Sequence, residues 1–184
     1  MRYSTSRGLP VFDEHAGEVV GIIDGMLVHP DSGRIEGFFV RVPRFLFSAE
    51  EFFLPIFDIV HWGLKVSVRT ADVLAPPQEF LRVAPLLESG RPVLGQVIRT
   101  ESGRTLGKCR DVQWNTKTLM LEWIFPRRWF RWQLPVPASA IIEVRREAVI
   151  VRDPATAVKE PEGEKKSLLE VLPDIAETIA QPTT

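Results

Sequence analysis

Gly17-Glu18-Val19-Val20-Gly21 and Gly103-Arg104-Thr105-Leu106-Gly107 state one pattern twice, and that repetition decides the fold. Other pieces recur in the same order around it. Gly8-Leu9-Pro10-Val11 returns as Gly90-Arg91-Pro92-Val93, Pro43-Arg44 as Pro126-Arg127, and Leu54-Pro55-Ile56 as Leu134-Pro135-Val136. The offsets stay between 80 and 86 residues, as small loop deletions would produce. The chain therefore reads as two copies of one unit. Each copy is near the size at which a single core only just suffices, so the two are expected to pack on each other.

The unit is rich in β-structure. Residues 18–28 are apolar and β-branched, and their glycines disfavour a helix. His29-Pro30-Asp31-Ser32-Gly33 has turn chemistry, and Arg34 to Val42 resumes as a strand, which together predict a hairpin. Lys108–Trp114, the turn Asn115-Thr116-Lys117-Thr118 and Leu119–Phe125 repeat the plan. A third strand then ends in Leu-Pro, a short turn follows, and Lys65–Val68 or Ala148–Val151 closes the unit. Short strands separated by Gly/Pro turns predict a small, closed or nearly closed barrel, which hides its strand edges. Gly21 and Gly107 are expected where a strand bends or another backbone comes close. The expected fold class is all-β, two tandem small antiparallel β-barrels. Residues 1–74 form the first domain, 75–88 a stiff Pro-rich connector with a helical turn near Gln78–Val83, and 89–153 the second domain. Residues 154–184 read as a flexible acidic tail. Within it, Ser167-Leu168-Leu169-Glu170 resembles a capping box that opens a short helix, interrupted at Pro173.

Composition narrows the function. Hydrophobic content is 45% and charged content 26%, the balance of an ordinary globular protein. No apolar run approaches the roughly 20 residues of a membrane helix, and Met1–Gly8 lacks the apolar core of a secretory signal. One cysteine, Cys109, excludes an intrachain disulfide and fits a cytoplasmic location. The net charge of −1 is unevenly spread. Residues 1–88 carry 8 basic and 12 acidic side chains, 89–153 carry 12 and 6, and 154–184 carry 3 and 6. The second unit alone, at +6, suits an anionic surface.

The succession Gly-x-x-x-Gly, strand, Pro-Asp-Ser-Gly turn, strand, Leu-Pro-hydrophobic and a closing valine-rich strand resembles the PRC-barrel domain. In the first copy the resemblance runs through Gly8, Asp13, Gly17, Gly21, His29–Arg34, Leu54-Pro55 and Val66–Val68. In the second it uses Gly90, Gly103, Gly107, Asp111, Leu134-Pro135 and Val149–Val151, with Gly25 as the counterpart of Asp111. The family includes the cytoplasmic part of photosynthetic reaction-centre H subunits and RimM-like ribosome maturation factors. H subunits pair a membrane helix with one barrel, and RimM-like factors pair a translation-factor-type barrel with one. Here both units look PRC-like. The resemblance implies a non-catalytic adaptor or assembly factor for a protein complex, with a membrane-associated photosynthetic or bioenergetic complex as the expected partner. The alternative is a RimM-like factor that binds a ribosomal protein or RNA, and a small-ligand sensor or enzyme ranks last.

No catalytic constellation is legible, and neither a cofactor nor a metal is expected. His15, His29 and His61 fall in separate loops, without metal-ligand spacing. Cys109 aligns with Ile23 and reads as a small buried hydrophobe. The candidate partner-binding residues are Arg127, Arg128, Trp129, Arg131 and Trp132, where guanidinium groups alternate with rings. Arginine and tryptophan dominate binding hot spots, and the same composition stacks on bases or lies at lipid headgroups. Packing of these rings in a core or between barrels is the competing reading. Location is expected to be cytoplasmic or peripheral to a membrane. The tail, if helical, is expected to dock on a partner groove or on the basic unit.

Overall fold

A computed structural model describes residues 1–45 and 48–153, so the expectations about the tail lie outside the described residues. A helical turn, α1 (Tyr3–Ser6), opens the chain. The first half then runs β1 (Pro10–Asp13), β2 (Glu18–Val28), β3 (Ile35–Phe45), β4 (Ser48–Pro55), β5 (Ile59–Trp62) and β6 (Val66–Val68). After α2 (Ala84–Ser89) the second half runs β7 (Val97–Thr100), β8 (Thr105–Trp114), β9 (Leu121–Arg128), β10 (Arg131–Trp132), β11 (Val136–Pro137), β12 (Ile141–Val144) and β13 (Ala148–Val151). The protein is mostly β, in two sheets, as the repeat implies.

The sheet orders, β4-β3-β2-β1-β6-β5 and β10-β9-β8-β7-β13-β12, are the same plan. In the second half the counterpart of β4 is interrupted by Gln133-Leu134-Pro135, so that β10 and β11 both pair with β9. Pairing is antiparallel except for one parallel pair in each half, β1 with β6 and β7 with β13. That pair joins the first strand of each unit to its last and brings the unit's ends together.

The ladders correct three details of the repeat. Leu54 pairs with Phe38, and Val136 pairs with Ile124, Phe38's counterpart. The partner of Leu54-Pro55 is therefore Val136-Pro137, two residues beyond Leu134-Pro135. Both Pro55 and Pro137 lead into a 3₁₀ turn, Ile56–Asp58 and Ala138–Ala140. Leu54 is fully buried whereas Leu134 is 87% exposed, so burial and turn geometry, not residue identity, carry the equivalence. Likewise Arg41 faces Ile22 as Arg127 faces Lys108, so Arg127 matches Arg41, and Pro126 matches Val40 instead of Pro43. Finally, β1 corresponds to β7, whereas Gly90 caps α2 in a left-handed conformation, so Gly90-Arg91-Pro92-Val93 is no counterpart of Gly8-Leu9-Pro10-Val11. Cys109 and Ile23 do correspond, and both are fully buried.

Residues 1–153 form one compact unit because the halves share a core. Val11, Ile23 and Phe38 lie in the same buried cluster as Ile98, Cys109, Trp114 and Ile124. The rings of Phe38, Trp62 and Trp114 meet with centroids 5.0–6.2 Å apart. The two hairpin turns exchange hydrogen bonds: Ile35 N–H donates to the Leu119 carbonyl and Leu121 N–H to the Gly33 carbonyl, both at 2.8 Å. With the offset of 86, each bond is the counterpart of the other. The N-terminus straps the first half to β8. The Met1 ammonium donates to the Trp114 carbonyl at 2.7 Å, and Ser4 donates through N–H and hydroxyl to the buried Asp111 carboxylate at 2.9 and 2.7 Å. Arg91 grips Asp31 with two hydrogen bonds of 2.7 and 2.9 Å, which hold the Asp31 carboxyl below its usual range.

The connector is more than a spacer. Leu27, Phe53 and Val83 form a second buried cluster, against which Phe39, Phe80, Leu86 and Leu87 pack. Phe53 N–H donates to the Ala75 carbonyl at 2.8 Å. The helical turns fall at Pro77–Glu79, which overlaps the start of the Gln78–Val83 expectation, and at Ala84–Ser89, just beyond it, because prolines at 77 and 85 favour the first positions of helices.

Candidate interaction surface

Strand β9 leaves the core at its end. Leu121, Ile124, Phe125 and Pro126 are buried, Arg127 is half-buried, and Arg128 is exposed. The chain reverses through Trp129-Phe130 and returns as β10, with Arg131 opposite Arg128 and Trp132 opposite Arg127. The sequence run is thus a hairpin with a two-residue tip. Its rings are not core: Trp129 is 85% exposed, Phe130 86% and Trp132 56%. The Arg127 guanidinium lies over the Trp132 ring at 5.4 Å, while its Nε is buried without a hydrogen-bond partner. All five residues singled out from sequence therefore share this one hairpin.

Trp129 holds φ +56°, a left-handed conformation that tight hairpins usually assign to glycine or asparagine. For an L-residue this conformation costs about 1–2 kcal/mol. A large ring placed there, exposed and strained, gives the fold little that a glycine would not give better.

Beside the hairpin opens a cleft of about 350 Å³, bounded by Gly107, Lys108 and Arg110 of β8 and by Arg127, Arg128 and Trp129. Lys108 stands directly across the ladder from Arg127. Like charges placed directly opposite destabilise a strand pair. Among the described residues no carboxylate forms an ion pair with Lys108, Arg110, Arg127 or Arg128. The equivalent face of the first half is internally neutral. Where the second half has Lys108 and Arg110, the first has Ile22 and Asp24. The Asp24 carboxylate takes ion pairs from Arg7 and Arg41; burial pushes its pKa up, but those hydrogen bonds and charges outweigh it and hold it below the usual range. Glu50 and Glu51 stand where the second half has Arg131 and Trp132, and Glu50 accepts from Arg44 at 2.9 Å. Lys108 and Arg110 were not singled out from sequence. Their signal is the 86-residue register, which sets them against Ile22 and Asp24.

The other candidates behave as local structure. Burial pushes the Cys109 thiol up to about 12, so it stays protonated at neutral pH. His29 Nδ1 accepts weakly from the N–H groups of Asp31 and Ser32 at 3.2 and 3.3 Å within its own turn. Among the described residues no cluster of three or more His, Cys, Asp or Glu is placed to hold a metal ion, and no helix is long and apolar enough to cross a membrane.

Compared with known families, residues 1–73 match the PRC-barrel domain. The second half repeats its strand order as a second barrel-like domain. No curated protein matches the chain. PRC-barrel domains often mediate protein–protein interaction, and the family is consistent with an interaction or assembly role.

Proposed function

We propose that this protein is a non-catalytic adaptor or assembly factor. It binds a protein complex through the second half, with Arg127, Arg128, Trp129, Arg131 and Trp132 at the contact. The observation that carries the reading is the contrast between the halves. One fold presents an ion-paired face in the first copy and, in the second, a cationic, aromatic hairpin whose Arg127 and Arg128 form no ion pair among the described residues. Exposed Trp and Arg in one patch have the composition of an interaction hot spot. The family supports a membrane-associated photosynthetic or bioenergetic complex as the partner.

The test is affinity capture with the full chain from a detergent-solubilised extract, followed by identification of what is retained. A defined membrane complex is expected. Replacing Arg127, Arg128 and Arg131 with alanine should weaken capture and flatten its salt dependence; the exposed Arg128 and Arg131 cost folding within about 0.5 kcal/mol each, and a thermal melt checks the half-buried Arg127. Retention of ribosomal particles instead would transfer the assignment to ribosome maturation. Undiminished capture by the triple variant would move the contact away from the hairpin.

A further inference from the structure

We propose that the hairpin tip and the cleft beside it form a docking site for an anionic phospholipid surface, with lipid phosphates held by Lys108, Arg110, Arg127 and Arg128. The proposal goes beyond the preceding reading: it shares only the importance of the hairpin and assigns that hairpin's tip and cleft to a lipid surface.

The first argument is the order of side chains along the hairpin. Two neighbouring rings, Trp129 and Phe130, occupy the extreme tip and are 85% and 86% exposed. Arg128 and Arg131 stand one residue behind them on the two strands, and Arg127 with Trp132 one residue further. Lys108 and Arg110 follow on the adjacent strand. Aromatic tip, then cationic collar, matches the layering of a membrane face, where rings settle at the headgroup level and basic groups meet phosphates. The interface accepts projecting rings without a shaped pocket, whereas a protein partner would have to provide one.

Charge is the second argument. Lys108 and Arg127 face each other and, among the described residues, neither forms an ion pair with a carboxylate, so their mutual repulsion is one that a bound anion relieves. The cleft of about 350 Å³, lined by Lys108, Arg110, Arg127 and Arg128, accommodates a phosphate group. The third argument is the first half, where Asp24 forms ion pairs with both Arg7 and Arg41. The same scaffold can silence this face, and in the second copy it does not.

The experiment is flotation of the full chain with vesicles of phosphatidylcholine alone or containing phosphatidylglycerol, at two salt concentrations. Binding is expected to the anionic vesicles only, to fall with salt, and to be weakened by soluble glycerol phosphate only at high concentration. Replacing Lys108, Arg110 and Arg128 with glutamine should weaken binding by roughly a hundredfold, given the attraction of each basic group to an anionic leaflet. Trp129→Gly with Phe130→Ser should weaken it on the same vesicles, with a thermal melt to verify folding, and should remove the blue shift of tryptophan emission seen on binding. Equal binding to neutral and anionic vesicles, or undiminished binding by the glutamine variant, overturns the proposal. So does a chain that ignores vesicles but binds an RNA oligomer with the same salt dependence. Loss of vesicle binding in both variants with no protein complex captured by the parent would instead support the lipid site and refute the adaptor reading. Capture of a complex without vesicle binding refutes the lipid site alone.

Discussion

Gly107→Ala tests how closely the backbone packs beneath the cationic face. A methyl group at this position would lie 2.7 Å from the Arg127 carbonyl oxygen, 2.8 Å from its carbon and 3.1 Å from the Arg128 nitrogen. All three are backbone atoms, so no side-chain rotation can make room, and β8 must move away from β9. The residue also holds φ +137°, a conformation that side chains avoid. Backbone strain of this kind costs about 1–3 kcal/mol, and overpacking a tight site adds about 1–3 kcal/mol. The sum is a large share of a total stability of about 5–15 kcal/mol. At about 2–4 °C per kcal/mol for a chain of this size, the melting temperature should fall by about 5–20 °C. Gly103→Ala is the control. It has φ +87° but nothing within 4 Å of an added methyl, so it carries the backbone cost without the crowding. Differential scanning calorimetry of both variants isolates the close approach by difference. If Gly107→Ala melts no lower than Gly103→Ala, the two strands are not packed as closely as described.

Three further outcomes are expected. Trp114→Ala removes a ring shared by both halves, costing about 3–5 kcal/mol, and calorimetry should show the single transition of residues 1–153 moving down whole; a split into two transitions would disprove a common core. Ser4→Ala leaves one oxygen of the buried Asp111 carboxylate without its partner, and urea titration should register a loss of about 1–3 kcal/mol; an unchanged midpoint would mean that the N-terminal strap is not fastened there. Backbone N–H groups of Ala16, Ala71 and His15 hold the Asp13 carboxyl below its usual range, with the Ala16 bond dominant and against an opposing push from burial. Such a group stabilises the fold above its unfolded pKa, near 3.9, and loses that contribution as pH falls through its lower folded value. Stability should therefore drop on acidification from about pH 5, and Asp13→Asn should show a shallower drop over the same window in pH-dependent melts.

The repeat was legible because strand-forming runs and turn residues recur in order. Its register was not, because identity misleads where geometry is what repeats. Leu134-Pro135 copies Leu54-Pro55 in letters, yet Val136 fills the buried position and Pro137 opens the turn. An insertion that bulges out of a strand leaves no mark in a pattern of residue types. The Arg/aromatic run was visible, but whether its rings faced inward depended on where β9 left the core. That depends on a reversal at Trp129, which no local preference announces. Lys108 and Arg110 were marked only by the 86-residue register that sets them against Ile22 and Asp24, because a lone basic residue in a strand is ordinary until the ladder sets it against another. The packing of the connector was hidden by its prolines, which suggest stiffness and say nothing of the apolar side chains between them.

The reciprocal bonds between the two hairpin turns have a consequence for how the molecule meets its surroundings. Two separate copies of one such unit, joined about the same contact, would show identical faces in opposite directions and could grip two objects alike. Covalent linkage of the copies removes that obligation. One face could gain Asp24, Glu50 and Glu51 while the other gained Lys108, Arg110 and Arg131, with the shared core unaffected by either set. The result is one scaffold with two characters: an acidic first copy at −4 and a basic second copy at +6, so that an anionic surface is attracted by one copy and repelled by the other.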